Sequence, residues 1–105
     1  MYTRVHTFKF QNKLAKNAIM QSIKELTDIN FKKGLQFRYF VEIDDNTLIL
    51  FSIWDSEETF LNVSSSHADF RKDIKEMGIK MSSTGGKTNG SYSDLTDLSL
   101  LKKLS

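Results

Sequence analysis

The segment Thr47-Leu48-Ile49-Leu50-Phe51-Ser52-Ile53-Trp54 constrains the fold more than any other part of the chain. Successive side chains of a strand point to opposite faces of its sheet. Here nearly every position is apolar, so a strand built from this segment needs cover on both sides. The sequence has 105 residues, enough for one domain and not for two. Its own helices can cover one face. The other face needs a second source.

The flanking patterns supply the remaining elements. Residues 2–10 (Tyr-Thr-Arg-Val-His-Thr-Phe-Lys-Phe) mix β-branched and aromatic residues with charges and read as a strand. Behind a cap at Asn12, the residues Ala15, Ala18, Ile19, Ile23, Leu26 and Ile29 recur at helical spacing, and Gly34 follows at a turn. Residues 35–43 alternate, with Leu35, Phe37, Tyr39, Val41 and Ile43 on one face and Gln36, Arg38, Phe40 and Glu42 on the other. Asp44-Asp45-Asn46 then makes residues 35–54 a hairpin. Ser56 caps a second helix, with Glu57 and Glu58 in its first turn and Phe60, Val63, His67, Phe70, Ile74 and Met77 on its inward stripe. Serines compete for backbone hydrogen bonds, so Ser64-Ser65-Ser66 predicts a break in this helix, with Ser66 recapping the second half. Gly78 ends it, Ile79–Thr84 is a weaker fourth strand, and residues 85–91 read as a flexible loop. Leucines at 95, 98, 101 and 104 predict an amphipathic helical tail over residues 94–105, beyond a domain of residues 1–93.

The order β-α-β-β-α-β implies an α+β, ferredoxin-like fold: a four-stranded antiparallel sheet with both helices on one face. A second copy is the simplest cover for the bare face, which predicts a homodimer of the dimeric α/β-barrel type. The absence of cysteine excludes a disulfide scaffold, a thiol nucleophile and cysteine-ligated metal centres. The formal charge of +2 does not point to nucleic acid. The longest apolar run, Leu48–Phe51, is too short for a membrane span, and Arg4, His6 and Lys9 interrupt any secretory leader near Met1, so a cytoplasmic location is expected.

Gly34-Leu35-Gln36-Phe37, Asp44-Asp45, and Ile49–Trp54 followed by Asp55-Ser56-Glu57-Glu58-Thr59-Phe60 resemble the dimeric α/β-barrel family of antibiotic-biosynthesis-monooxygenase-like proteins. Ser66-His67-Ala68-Asp69-Phe70 is similar to the segment that restarts the broken second helix there. The resemblance runs from about Thr3 to Met81. It implies a dimeric barrel, and its members include cofactor-free oxygenases of polycyclic phenols and quinols as well as haem-degrading enzymes. The haem-degrading branch uses an Asn on the first strand and a Trp and a His on the second helix. Those positions fall near His6, Val63 and Asp73, and none is retained, which disfavours that route. The quinol-oxidising branch often carries a helix histidine near Val63 or His67, and His67 is present.

His67 is the leading catalytic candidate. A buried imidazole can be neutral and serve as a base near neutral pH; the alternatives are a hydrogen-bonded core histidine or one at the kink with its ring in water. His6 shares strand parity with Arg4 and Phe8, so it can meet His67 across one cavity if that face looks at the helices. Two histidines fall short of a catalytic metal site, and no metal or other cofactor is expected. Trp54, at the end of the third strand, is a pocket wall or a core aromatic whose N–H finds a partner near the helix cap. Arg38 holds an acidic group or pairs with Glu42 or a partner subunit. Gly86-Lys87-Thr88 ends like a phosphate loop but lacks the earlier glycine, since Met81 stands there.

Together with the resemblance, these residues imply a cofactor-independent monooxygenase-like protein acting on a small aromatic or quinol-type compound, with catalytic His67 and with His6, Trp54 and Arg38 at the ligand. The competing readings are a barrel that binds a small aromatic ligand without turnover, and a structural dimerisation module.

Overall fold

The computed structural model describes residues 1–90. Its elements are β1 (Tyr2–Lys9), α1 (Lys13–Phe31), β2 (Leu35–Asp44), β3 (Thr47–Trp54), α2 (Glu57–Ser65), α3 (Ala68–Glu76) and β4 (Lys80–Lys87). The strands form one antiparallel sheet in the order β2-β3-β1-β4, the ferredoxin-like arrangement. The tail expected over 94–105 lies outside the described residues.

Two caps start helices where the sequence offers a side-chain oxygen. Asn12 Oδ1 accepts from the Ala15 N–H at 2.8 Å, and Ser56 Oγ accepts from the Thr59 N–H at 3.1 Å. Between α1 and β2 the chain turns at Gly34, whose φ of 111° lies in the region that favours glycine. A Cβ there would also collide with the side chains of Thr59 and Asp55.

One face of the sheet carries Phe8, Leu48 and Leu50, which pack with Ile19, Ile23 and Ile74 of the helices. A second cluster, Tyr2, Leu35, Trp54, Phe60 and Val63, closes the other end of the same layer. Fully burying one such side chain stabilises the fold by about 1.5–3 kcal/mol. On the opposite face lie Ile49, Phe51 and Ile53, each half-buried, with Tyr39 stacked on Phe51 at 4.7 Å between ring centroids. Among the described residues no helix packs there. The two-faced apolar pattern of β3 is thus realised, with one face covered by the chain itself.

The structure departs from the sequence pattern at several points. α1 is rotated so that residues 16, 19, 23, 26 and 30 face inward, which leaves Ala18 and Ile29 exposed. The polar members of that series are satisfied: buried Lys16 sends Nζ to Glu42 Oε1 and to the Asp44 carbonyl, each at 3.0 Å. In β2 the register shifts between Leu35 and Phe37, so one extra residue flips the alternation. Leu35 therefore joins the helix-covered face and does not share the face of Phe37 and Tyr39. Met77 is exposed at the end of the second-helix stripe. Residues 85–87, read as loop, continue β4, because Gly85 and Gly86 pair with Arg4 and Thr3 of β1. Gly85 leaves the space that the Tyr2 hydroxyl fills.

Candidate active site

The expected break in the second helix separates α2 from α3, and it builds the site. Ser66 does not recap the second half. It closes α2, its Oγ donating to the Val63 carbonyl at 2.6 Å. His67 instead takes the position before α3, with φ −108° and ψ 33° and no side-chain capping bond. It is half-buried at the break, and not within a continuous helical stripe. Its ring turns toward the end of α1, where Nε2 lies 3.3 Å from Oδ1 of buried Asn30. Arg71 of α3 reaches back to the Ser64 carbonyl and to Ser64 Oγ (3.0 Å), clasping the two helical segments together.

From the sheet, Arg4, His6 and Phe8 point at the helices, as their pairing with Ser52, Leu50 and Leu48 requires. The His6 ring stacks on Phe8 at 6.0 Å, and its buried Nδ1 has no hydrogen-bond partner among the described residues. Arg38 Nε donates to Oγ of buried Ser52 at 3.0 Å, and its Nη1 to Thr27 Oγ1 at 3.1 Å. Its guanidinium carbon stands 5.9 Å from the Trp54 ring. Arg38 does not pair with Glu42, which is taken by Lys16. The Trp54 indole N–H is buried and, contrary to expectation, has no partner near the helix cap or elsewhere among the described residues.

These residues meet. His6, Arg38, Trp54, His67 and Asn30 all line one cavity of about 90 Å³ between helices and sheet. It sits where the two hydrophobic clusters adjoin, with Phe8 and Ile23 from one and Phe60 and Val63 from the other as apolar walls. The charged lining is one-sided: Arg38 and Arg71 contribute, and no carboxylate does among the described residues.

The electrostatics follow from burial and from that imbalance. Burial, then the charges of Arg4 and Arg38, hold the His6 pKa down at about 4. Burial, then Lys33, Arg38 and Arg71, lower His67 below the usual histidine value. Burial lowers Arg38 to about 10, which leaves it charged at neutral pH. Both imidazoles are therefore neutral at pH 7. A neutral ring has one donor and one acceptor nitrogen. With Asn30 Oδ1 as acceptor, His67 Nε2 carries the proton and Nδ1 keeps the lone pair.

The sequence matches no protein-family model and no curated protein. Solved structures do match. A dimeric ferredoxin-like protein from an uncultured marine organism superposes with a TM-score of 0.68 at 11% identity, over 89% of this chain and 99% of that one. SnoaB, a cofactor-independent oxygenase from Streptomyces nogalater, gives 0.64 at 10% identity, over 86% and 94%. The monooxygenase from the gene ActVA-Orf6 of Streptomyces coelicolor, in complex with nanaomycin D, gives 0.64 at 12%, over 88% and 92%. The chain has the ferredoxin-like fold of these structures. At these identities the likeness establishes the ferredoxin-like fold and not a shared reaction. Among the described residues no helix is long and apolar enough to cross a membrane.

Sequence reasoning missed three members of this ferredoxin-like site. Asn30 follows Ile19, Ile23 and Leu26 at helical spacing, a signal obscured by the neighbouring apolar Ile29. Ser52 interrupts the apolar run that follows Thr47 in β3, and it marks where Arg38 docks. Arg71 carries no sequence signal, because its role depends on the path of the chain through the break.

Proposed function

We propose that this protein binds a small aromatic or quinol-type compound in the cavity between sheet and helices and oxidises it without a cofactor, with His67 as the base. The observation that carries this is the meeting of His67, held by Asn30, with His6, Arg38 and Trp54 in one largely apolar cavity. A phenolic proton passes to the free nitrogen of His67, leaving an electron-rich anion that reacts with dioxygen. For a quinol the balance is one dioxygen consumed, one oxygen atom entering the ring to give a hydroxyquinone, and one water released. The protein's part is desolvation, orientation and proton removal. The lowered basicity of His67 is offset because the charge of Arg38 also favours ionisation of the phenol.

The apolar outer face of β3, and the dimeric description of a neighbour with the same fold, support a homodimer joined sheet to sheet. Oxygen-electrode assays over a panel of quinols and anthrone-type compounds test the reading. Uptake by the wild type and its loss in His67→Ala, with the oligomer intact, are the expected results. Binding without oxygen uptake would make the protein a non-catalytic carrier.

A further inference from the structure

The charge in the cavity is unbalanced. Among the described residues the ion pairs are Lys16–Glu42 and Lys72–Glu76, and Arg38 belongs to neither. Its two hydrogen bonds go to the neutral hydroxyls of Ser52 and Thr27. A guanidinium has five N–H donors, so donors remain for another partner. A half-buried cation without a counter-ion is costly, and contact with the Trp54 ring offsets only part of that cost. Trp54 adds a second unmet donor, its buried indole N–H. Arg71 adds positive charge at the exposed rim.

Size narrows the ligand further. An engineered apolar cavity of roughly 150 Å³ holds benzene, and this one measures about 90 Å³. It reaches the surface near Arg71 and Met81, both exposed. A single ring fits with its outer edge in the mouth, whereas a fused polycycle requires side chains to move.

We propose that the cavity takes a monocyclic aromatic compound as its anion, a carboxylate or ionised phenol, with the anionic oxygen at the Arg38 guanidinium and the ring among Phe8, Phe60 and Val63. The planar fork of arginine suits a carboxylate's paired oxygens, or one ionised phenol oxygen. This inference rests on the aromatic-pocket reading above and adds the charge and the ring count.

The test compares benzoate with benzamide, which share a shape and differ in charge. Trp54 is the only tryptophan of the chain, so its fluorescence reports binding at the site. Benzoate should bind about tenfold more tightly than benzamide, the worth of one charge-assisted pair. Arg38→Gln should erase that preference, and Arg71→Gln, at the rim, should reduce it. The comparison in the wild type needs no variant, so it stands even if Arg38→Gln folds poorly. Equal binding of the two compounds overturns the anion assignment and leaves the aromatic pocket intact. If neither perturbs Trp54 at millimolar concentration, both the assignment and the pocket reading fall.

Discussion

His67 Nε2 lies 3.3 Å from Asn30 Oδ1, joining the break before α3 to the last turn of α1. The contact assigns the ring tautomer and fixes which nitrogen can take a proton. Asn30→Asp replaces a neutral acceptor with a carboxylate, and an opposite charge favours the protonated imidazole. The His67 pKa should rise in this variant, as followed by NMR titration of the ring protons. An unchanged titration would mean that the two side chains do not meet in solution.

Arg38 ties β2 to Ser52 of β3 and Thr27 of α1. Arg38→Met leaves the Ser52 hydroxyl buried without that partner, at a cost of about 1–3 kcal/mol. Adding Ser52→Ala should recover part of the loss. Urea unfolding of the two single variants and the double variant gives the coupling, and strict additivity would refute it.

The folded His6 pKa of about 4, against 6.5 for the free side chain, makes stability depend on pH. The unfolded chain binds a proton below 6.5 that the folded chain refuses until about 4. Stability is therefore undiminished by this group above pH 6.5 and falls as pH drops toward 4, by on the order of 2 kcal/mol after allowance for partial exposure. The shift of His67 acts in the same direction. His6→Phe should flatten the slope of unfolding free energy between pH 6.5 and 4.5, and an identical slope would contradict the buried neutral state.

Gly34 combines a φ of 111° with no room for a Cβ beside Asp55, on the loop into α2, and Thr59, in the first turn of α2. Gly34→Ala should cost about 1–3 kcal/mol and lower Tm, since backbone strain and side-chain collision add. A thermal melt matching the wild type would show that the turn adjusts freely.

Phe51 lies on the outer sheet face, stacked with Tyr39. If two copies join there, Phe51→Lys places a charge from each copy in a self-complementary apolar interface. The expected result is a monomer by light scattering with the fold retained by circular dichroism. A variant that stays dimeric would move the interface elsewhere.

Much of the architecture is local chemistry and can be read from the chain. Asn12 and Ser56 start helices because their side-chain oxygens lie next to orphan N–H groups. The apolar run of β3 specifies a central strand, and three serines forecast the break between α2 and α3. Strand parity alone aims His6 at the helices. The site needed more than local rules. One bulged residue in β2 reverses a face, and a small rotation of α1 buries Lys16 and Asn30 in place of Ala18 and Ile29. Neither change conflicts with the local pattern, because a distant partner meets each polar group: Glu42 for Lys16 and His67 for Asn30, with Ser52 taking one donor of Arg38. Periodicity ranks residues by polarity, whereas the burial of Lys16, Asn30 and Ser52 goes with a partner that only packing supplies. Local patterns were therefore enough for the layers of the fold, while the polar groups around the cavity were chosen by long-range packing.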